Sequence, residues 1–331
     1  MTEGISAGNQ CSFVGRSGAP CPDAADGRHG FCFWHDPDAS KTGADIKGRL
    51  ETLAREGRSL EGFVLKAAEL RDVNLTFGDK ERRVMMCDAD LSRANLAEAH
   101  FFHIDLRGAN LMKANLTQAN LNRAGQEDTN LLGAELFTAR LEQVDWGRHL
   151  SQELRAGEAK REGRMDVAID LYLEAEEIYR YLTKITEQRG HFNQAGHFYH
   201  KEKIMRRMQM RRWSKIWCWS KLVDLLCGYG EAVDRVIIFS LLVMLDWAGI
   251  FFFLGVKGPG GPLAFNSGAS WGDNLSAFFQ CAYFSVVTFT TLGYGDITPT
   301  GLTQFFAAAE AFIGAFSMSL FVVVFVRKMI R

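Results

Sequence analysis

Apolar positions recur along this chain in three different rhythms, and each rhythm predicts a different kind of structure. From Ala89 to Trp146 the period is five. Small or β-branched residues stand at 89, 94, 99, 104, 109, 114, 119, 124, 129, 134, 139 and 144, and mostly Leu or Phe follows two places later. Neither the 3.6-residue repeat of a helix nor the two-residue repeat of a strand fits this spacing. A four-sided solenoid does: each unit forms one side, with the large apolar residue filling the interior and the small one packed beside it. A fainter set, Phe63/Leu65, Ala68/Leu70 and Val73/Leu75, shares the spacing, and the register then slips by one residue across Gly78 to Arg83. The slip predicts a protruding loop between two stacked parts. Gln126, preceded by Gly125, stands where Leu is usual. A buried Gln needs hydrogen-bond partners or local opening, so this coil is the expected weak point.

Past residue 149 the rhythm becomes helical. Val167, Leu171, Ala175 and Ile178 share one face, Leu182 and Ile185 follow, a turn falls near Gly190, and His191 to Met210 form the return helix. Trp213 to Tyr229 is amphipathic and rich in tryptophan, which suits a helix lying at the headgroup level of the inner leaflet. Such a helix either transmits force to the first span or only anchors the chain. The third rhythm is unbroken apolar sequence, in two stretches of about 20 residues each, enough to cross a bilayer: Val236 to Val256 and Phe305 to Val326. Between them Leu275 to Phe289 predicts a helix too short to cross, ending in Thr290-Thr291-Leu292-Gly293-Tyr294-Gly295-Asp296. A span, a half-span helix and another span make a re-entrant loop.

The chemistry of that loop lies in its backbone. Successive carbonyls, helped by one threonine hydroxyl, can replace the hydration shell of K+, and glycine at two positions lets the backbone turn without a β-carbon penalty. One chain supplies only one wall, so a closed ring implies several copies about an axis, most simply four. Taken as a bare tetrapeptide, Gly-Tyr-Gly-Asp with Pro299 nearby also reads as a turn; the flanking spans favour the pore.

With these elements in order, residues 228 to 331 resemble the ion-channel domain of prokaryotic two-transmembrane potassium channels, on the signature Thr288 to Pro299, TFTTLGYGDITP. The resemblance implies that Thr291, Leu292, Gly293 and Tyr294 line the ion sites and that Gly295 and Asp296 form the outer mouth, with Thr290 in support. Leu292 stands where many such channels have valine, and Val287 where some carry a glutamate that pairs with the mouth aspartate, so Asp296 needs another partner or stays solvated. Glu310 falls near the back of the filter, with a structural hydrogen-bonding role. Gly314 matches an inner-helix hinge glycine, and close packing against the pore helix is an equal reading. Phe316, Met318, Phe321 and Phe325 follow. Some of them face a lower vestibule, Phe321 and Phe325 being the gate candidates, but a span apolar all round does not say which. Asp246 in the first span is a second acidic residue, read as making a structural contact.

The five-residue units resemble the pentapeptide-repeat family, which implies a right-handed quadrilateral β-helix. Some members mimic DNA. Here Arg93, Lys113, Arg123, Arg140 and Arg148 interrupt any acidic face, so an assembly scaffold or regulatory spacer is the expectation. Ala175 to Arg180 with Gly190 to Phe192 and Ala195 to Tyr199 resembles a tetratricopeptide-type helical hairpin, read as a coupler, with peptide binding as the alternative.

At the N-terminus Cys11, Cys21, Cys32 and His35 make a complete tetrahedral zinc set, two of them from the tight Cys32-Phe33-Trp34-His35 turn. A segment this short makes little core, and a structural Zn2+ would explain its folding; redox or unligated cysteines are the alternatives. Cys87, Cys218, Cys227 and Cys281 are scattered and suggest no disulfide framework. The 331 residues suffice for several small domains. The net charge of −1 gives no case for nucleic acid.

The expected whole is a multidomain membrane protein: a zinc-knot-like segment at 1–45, the β-helix at 50–148, a helical hairpin at 149–212, an interfacial helix at 213–229 and a pore domain at 230–331. Lys203, Arg206, Arg207, Arg211 and Arg212 before the spans, with Arg327, Lys328 and Arg331 after them, put both ends in the cytoplasm of an inner (plasma) membrane. The first residues are polar and no secretory signal is read. No arginine-rich helix precedes the pore, so direct voltage sensing is not expected. The expected function is passive K+ conduction by a homotetramer in a lipid bilayer, with an unidentified cytoplasmic protein regulator as a further partner. The alternatives are a weakly selective cation channel or a membrane-anchored scaffold. No nucleophile–base or paired-carboxylate constellation points to an enzyme.

Overall fold

In the computed structural model, which describes residues 10–16, 18–26, 29–42, 45–76 and 83–330, the five-residue rhythm becomes a four-sided coil. Each corner is a tight turn. At one of them the Ala94 N–H donates to the Leu91 carbonyl at 3.1 Å, with Arg93 at φ 60°, the left-handed third residue of a type II turn. Each side is a single parallel bridge to the next coil, Asn95 to Asn115 and Asn115 to Glu135 for example, twenty residues on. Leu91, Leu96, Leu106, Leu111, Leu116 and Leu121 are fully buried inside, with Ala89, Ala99, Ala109 and Ala119 beside them. Each such leucine contributes about 1.5–3 kcal/mol of burial. Outside, an asparagine ladder ties the coils: Asn130 Nδ2 donates to Asn110 Oδ1 at 3.1 Å, and Asn110 Nδ2 to Asp90 Oδ1 at 3.1 Å.

The fainter repeats join the same stack, since Phe63, Leu65, Ala68, Leu70, Val73 and Leu75 are buried. Val64 pairs with Asp90, an offset of 26 where later coils have 20. The slip thus adds six residues, and of the loop expected at 78–83 all but Arg83 lies outside the described residues. Gln126 is wholly buried, and neither atom of its side-chain amide has a hydrogen-bond partner among the described residues.

The helical part holds the expected hairpin, turning at Gly190, and one helix more. It contains three helices, α2 (Ser151–Arg161), α3 (Met165–Gln188) and α4 (Phe192–Met208). The extra helix, α2, has scarcely any apolar face and therefore no readable period. It closes the far end of the coil: the Ser151 N–H donates to the Thr129 carbonyl at 3.2 Å, and Gln152 Nε2 to Asn130 Oδ1 at 2.6 Å. Tyr181 of α3 accepts the Leu136 N–H at 2.9 Å. At the near end lies another unforeseen helix, α1 (Ile46–Glu56), which buries Ile46, Leu50 and Ala54. Its Glu51 accepts the Asn74 N–H at 2.8 Å.

The chain divides into two compact units after Gln209. The second begins with α5 (Lys215–Cys227), N-capped by Ser214, whose hydroxyl accepts the Trp217 N–H. Then come α6 (Val233–Leu254), α7 (Trp271–Phe289) and α8 (Leu302–Ile330). Among the described residues α6 and α8 are the two helices long and apolar enough to span a membrane. A small antiparallel sheet, β1 (Val256–Gly258), β2 (Gly261–Leu263) and β3 (Thr298–Pro299), sits between them in the order β2-β1-β3. Phe251, Cys281, Phe284, Ile297 and Ala307 form the core joining α6, α7 and α8.

Candidate functional site

α7 begins one turn earlier than its apolar run predicts, because Ser270 caps it: its hydroxyl accepts the Asp273 N–H at 3.2 Å. It buries Cys281, Phe284, Ser285, Val287 and Phe289 against its neighbours. The helix ends at Phe289, where the Thr290 hydroxyl donates back to the Val286 carbonyl at 2.6 Å. The Leu292 N–H still reaches the Val287 carbonyl at 3.0 Å.

Beyond that point the backbone alternates. Thr291, Gly293 and Gly295 have φ of 59°, 56° and 80°, while Leu292 and Tyr294 lie outside the left-handed region. All six residues from Thr291 to Asp296 are exposed in the protomer. Asp296, which lacks a glutamate partner at Val287, interacts with the Tyr283 hydroxyl and pushes it above its ordinary value.

Behind this segment Glu310 of α8 is completely buried. The Ser285 hydroxyl of α7 bonds Glu310 Oε1 and also lies 2.8 Å from the Met244 carbonyl of α6, so one serine ties three helices together. Glu310 Oε2 has no protein partner among the described residues. One turn on, Gly314 touches α7 directly: a β-carbon there would lie 1.9 Å from the Phe289 carbonyl oxygen. Further along α8, the Phe321 and Phe325 rings stack at 5.7 Å. Phe321 packs toward Cys227 and Val236, and Phe325 is exposed. Asp246 of α6 is exposed in the protomer.

The N-terminal residues expected to cluster do so. Cys11, Cys21, Cys32 and His35 are all buried, and their ligand atoms lie within 4.8 Å of one another. Cys11 Sγ is 3.5 Å and Cys32 Sγ 3.2 Å from His35 Nδ1, and Cys21 Sγ is 3.9 Å from Cys32 Sγ. A tetrahedron with metal–sulfur bonds of about 2.3 Å and metal–nitrogen bonds of about 2.0 Å has edges of about 3.5–3.8 Å, so the donor set fits a tetrahedral ion. Burial, with repulsion from Cys32 and Cys11, pushes the Cys21 thiol up to about 12. Burial also raises Cys32 and lowers His35; a bound dication reverses the thiol effect. His35 Nε2 lies 2.9 Å from the Glu61 carbonyl. A carbonyl only accepts, so Nε2 carries the proton and Nδ1 keeps its lone pair for the cluster.

Sequence reading missed Ser285, Tyr283 and Glu61. Ser285 had a signal, since a hydroxyl on the buried face of an apolar helix needs a polar partner. Glu61 acts through its carbonyl, which no side-chain pattern reveals.

The family model for ion channels matches residues 238–331, and that for pentapeptide repeats, in 8 copies, matches residues 89–124. The bridge ladder continues on both sides of that second match, from Val64 to Asp145. Protein LctB of Geobacillus stearothermophilus is 33% identical over 92 residues, 25% of this chain and 68% of that protein. Protein LctB of Bacillus caldotenax is 34% identical over 92 residues, with the same shares. Among solved structures, the pentapeptide repeat protein Rfr23 from the cyanobacterium Cyanothece 51142 is 27% identical with a TM-score of 0.18, over 26% of this chain and 60% of that one. HetL, a pentapeptide repeat protein involved in heterocyst differentiation regulation in Nostoc sp. strain PCC 7120, is 26% identical with a TM-score of 0.17, over 27% of this chain and 51% of that one. The chain thus spans between about half and three fifths of these two repeat proteins.

Proposed function

Because the chain belongs to the ion-channel family through residues 238–331, with pentapeptide repeats ahead of them, we propose that it is a potassium-selective channel completed by four copies. Neither family is one of enzymes, and the work is passive conduction through a membrane.

The observation that carries this reading is the alternation of left-handed backbone at Thr291, Gly293 and Gly295. In a plain strand successive carbonyls point to opposite sides. Alternating handedness turns them to the same side. A column of carbonyls is what takes over the hydration shell of K+. Left-handed φ is unfavourable for a β-branched residue such as Thr291, and strain of this kind gathers at functional sites. On this reading Thr291, Leu292, Gly293, Tyr294 and Gly295 conduct, while Thr290, Asp296 and Glu310 support them. The C-terminal end of α7 lends its partial negative charge to a cation behind the filter.

Fourfold assembly is supported by exposure. The filter residues and Asp246 are uncovered in one protomer, and an aspartate within a span faces protein or water instead of lipid. Phe321 and Phe325 are the gate candidates. Gly314 acts by close packing, the reading its contact with Phe289 favours over a hinge. Basic residues before α6 and after α8 orient both ends to the cytoplasm of the inner membrane, and α5 lies on that leaflet with Ile216 and Trp219 exposed, as is Trp213 just before it. The repeat coils serve as an assembly or regulatory element of the channel. The Cys11, Cys21, Cys32 and His35 cluster holds a structural zinc ion.

Bi-ionic recordings in planar bilayers test the reading. It requires a reversal potential close to that of a K+-selective pore, and a value near zero with K+ on one side and Na+ on the other overturns selectivity.

A further inference from the structure

We propose that the metal-loaded N-terminal knot is the cap of the repeat coil and that His35 is the strut joining metal to coil. This rests on the metal reading above. A stack of parallel coils ends in an open edge and an uncovered apolar interior, and terminal units must cover both. The first coil here begins at Leu60, which is buried together with Phe63 and Leu65. What covers it is the knot, with α1 beside it. The Trp34 carbonyl accepts the Val64 N–H at 2.8 Å, and the Trp34 ring stacks on Phe63 at 5.0 Å and 7°. Phe13 lies so close over the coil that a β-carbon on Gly62 would meet its ring at 2.1 Å.

His35 connects the two halves of this arrangement through one rigid ring. Nδ1 faces the sulfurs of Cys11 and Cys32, and Nε2 donates to the Glu61 carbonyl of the first coil. Phe13 stacks on the ring at 4.0 Å, and Phe63 meets its edge at 5.3 Å, so the ring is held on both sides. A bound ion fixes the position of Nδ1, and with it the direction of Nε2–H. Metal occupancy thereby sets how firmly Trp34 and its carbonyl are held against Val64.

The strut and the ligand separate in one substitution. His35→Cys keeps a four-donor tetrahedral set, which zinc accepts, but has no group that reaches Glu61. The experiment measures zinc per chain and amide hydrogen exchange in the full-length protein, wild type against H35C. The expected result is about one zinc per chain in both, with exchange in H35C at least tenfold faster at the Val64 amide and unchanged at 109–121, where the coil is bonded only to itself. Zinc retained with Val64 protection unchanged overturns the strut and leaves the metal reading standing. Absence of zinc from the wild-type chain overturns both. Should H35C lose its zinc, the wild type stripped with a chelator decides: faster exchange confined to the Val64 region supports the cap, and unchanged exchange there overturns it.

Discussion

Gly314 packs directly against the backbone of Phe289: a β-carbon on the glycine would fall 1.9 Å from the backbone oxygen of the phenylalanine. The neighbour is backbone, so no rotamer change relieves the overlap, and α8 can cross α7 this closely only with hydrogen at that position. Gly314→Ala is therefore expected to destabilise the assembled protein by about 1–3 kcal/mol, the usual range for overpacking. Thermal unfolding in detergent measures this. A glycine serving only as a hinge would leave the midpoint where it was and alter gating alone.

Ser285 bonds both Glu310 and the Met244 carbonyl, so its removal leaves the buried Glu310 Oε1 without its hydroxyl partner. Ser285→Ala is expected to cost about 1–3 kcal/mol and to loosen the packing behind the filter. Glu310→Gln, which can still bond Ser285, should be the milder change, and Glu310→Ala the harsher. Equal stability of the three variants would show that the α6–α7–α8 junction does not depend on this cluster.

Tyr283 interacts with Asp296, where Val287 stands in place of a glutamate. Tyr283→Phe removes only the hydroxyl, and faster inactivation of macroscopic current is the expected outcome. Placing Glu at Val287 should slow or reshape the same process by offering Asp296 a competing partner. Inactivation unchanged in both variants would disconnect the mouth aspartate from filter gating.

In the repeat coil, Asp105 is buried with 1% of its side chain exposed. Burial disfavours its charge, but hydrogen bonds from the Arg107 side chain and backbone, with the Arg83 charge, outweigh this and hold the carboxyl below its ordinary 3.8. The unfolded chain thus binds this proton more readily than the folded one, so the contribution to stability is full above about 3.8 and is lost as pH falls through the depressed folded value. Asp105→Asn should be less stable than wild type at neutral pH, with the gap narrowing in acid. A gap independent of pH would remove Asp105 from the acid response.

How much of this was legible in the sequence depends on whether local pattern or distant partners decide each feature. The coil was readable because Ala94 and Leu96 do the same work as Ala114 and Leu116, and twelve repetitions expose the rule. The left-handed backbone at Gly293 and Gly295 was readable because glycine is the residue that adopts it freely. α2 was not: its sequence, SQELRAGEAKR, has no strong apolar face, and it is held by contacts such as Gln152 with Asn130. Ser285 and Tyr283 gained meaning only when folding placed them beside Glu310 and Asp296. The three cysteines and His35 announced a cluster, whereas the tie from His35 to the Glu61 carbonyl needed the fold.

The central claim, selective K+ conduction through the Thr291–Gly295 backbone, is tested most directly by ion uptake into liposomes holding the purified full-length protein, measured for K+ and for Na+ beside a Gly293→Asp control. The account predicts K+ uptake well above Na+ uptake and its loss in the control. Equal uptake of the two ions, or K+ uptake that survives Gly293→Asp, would contradict it.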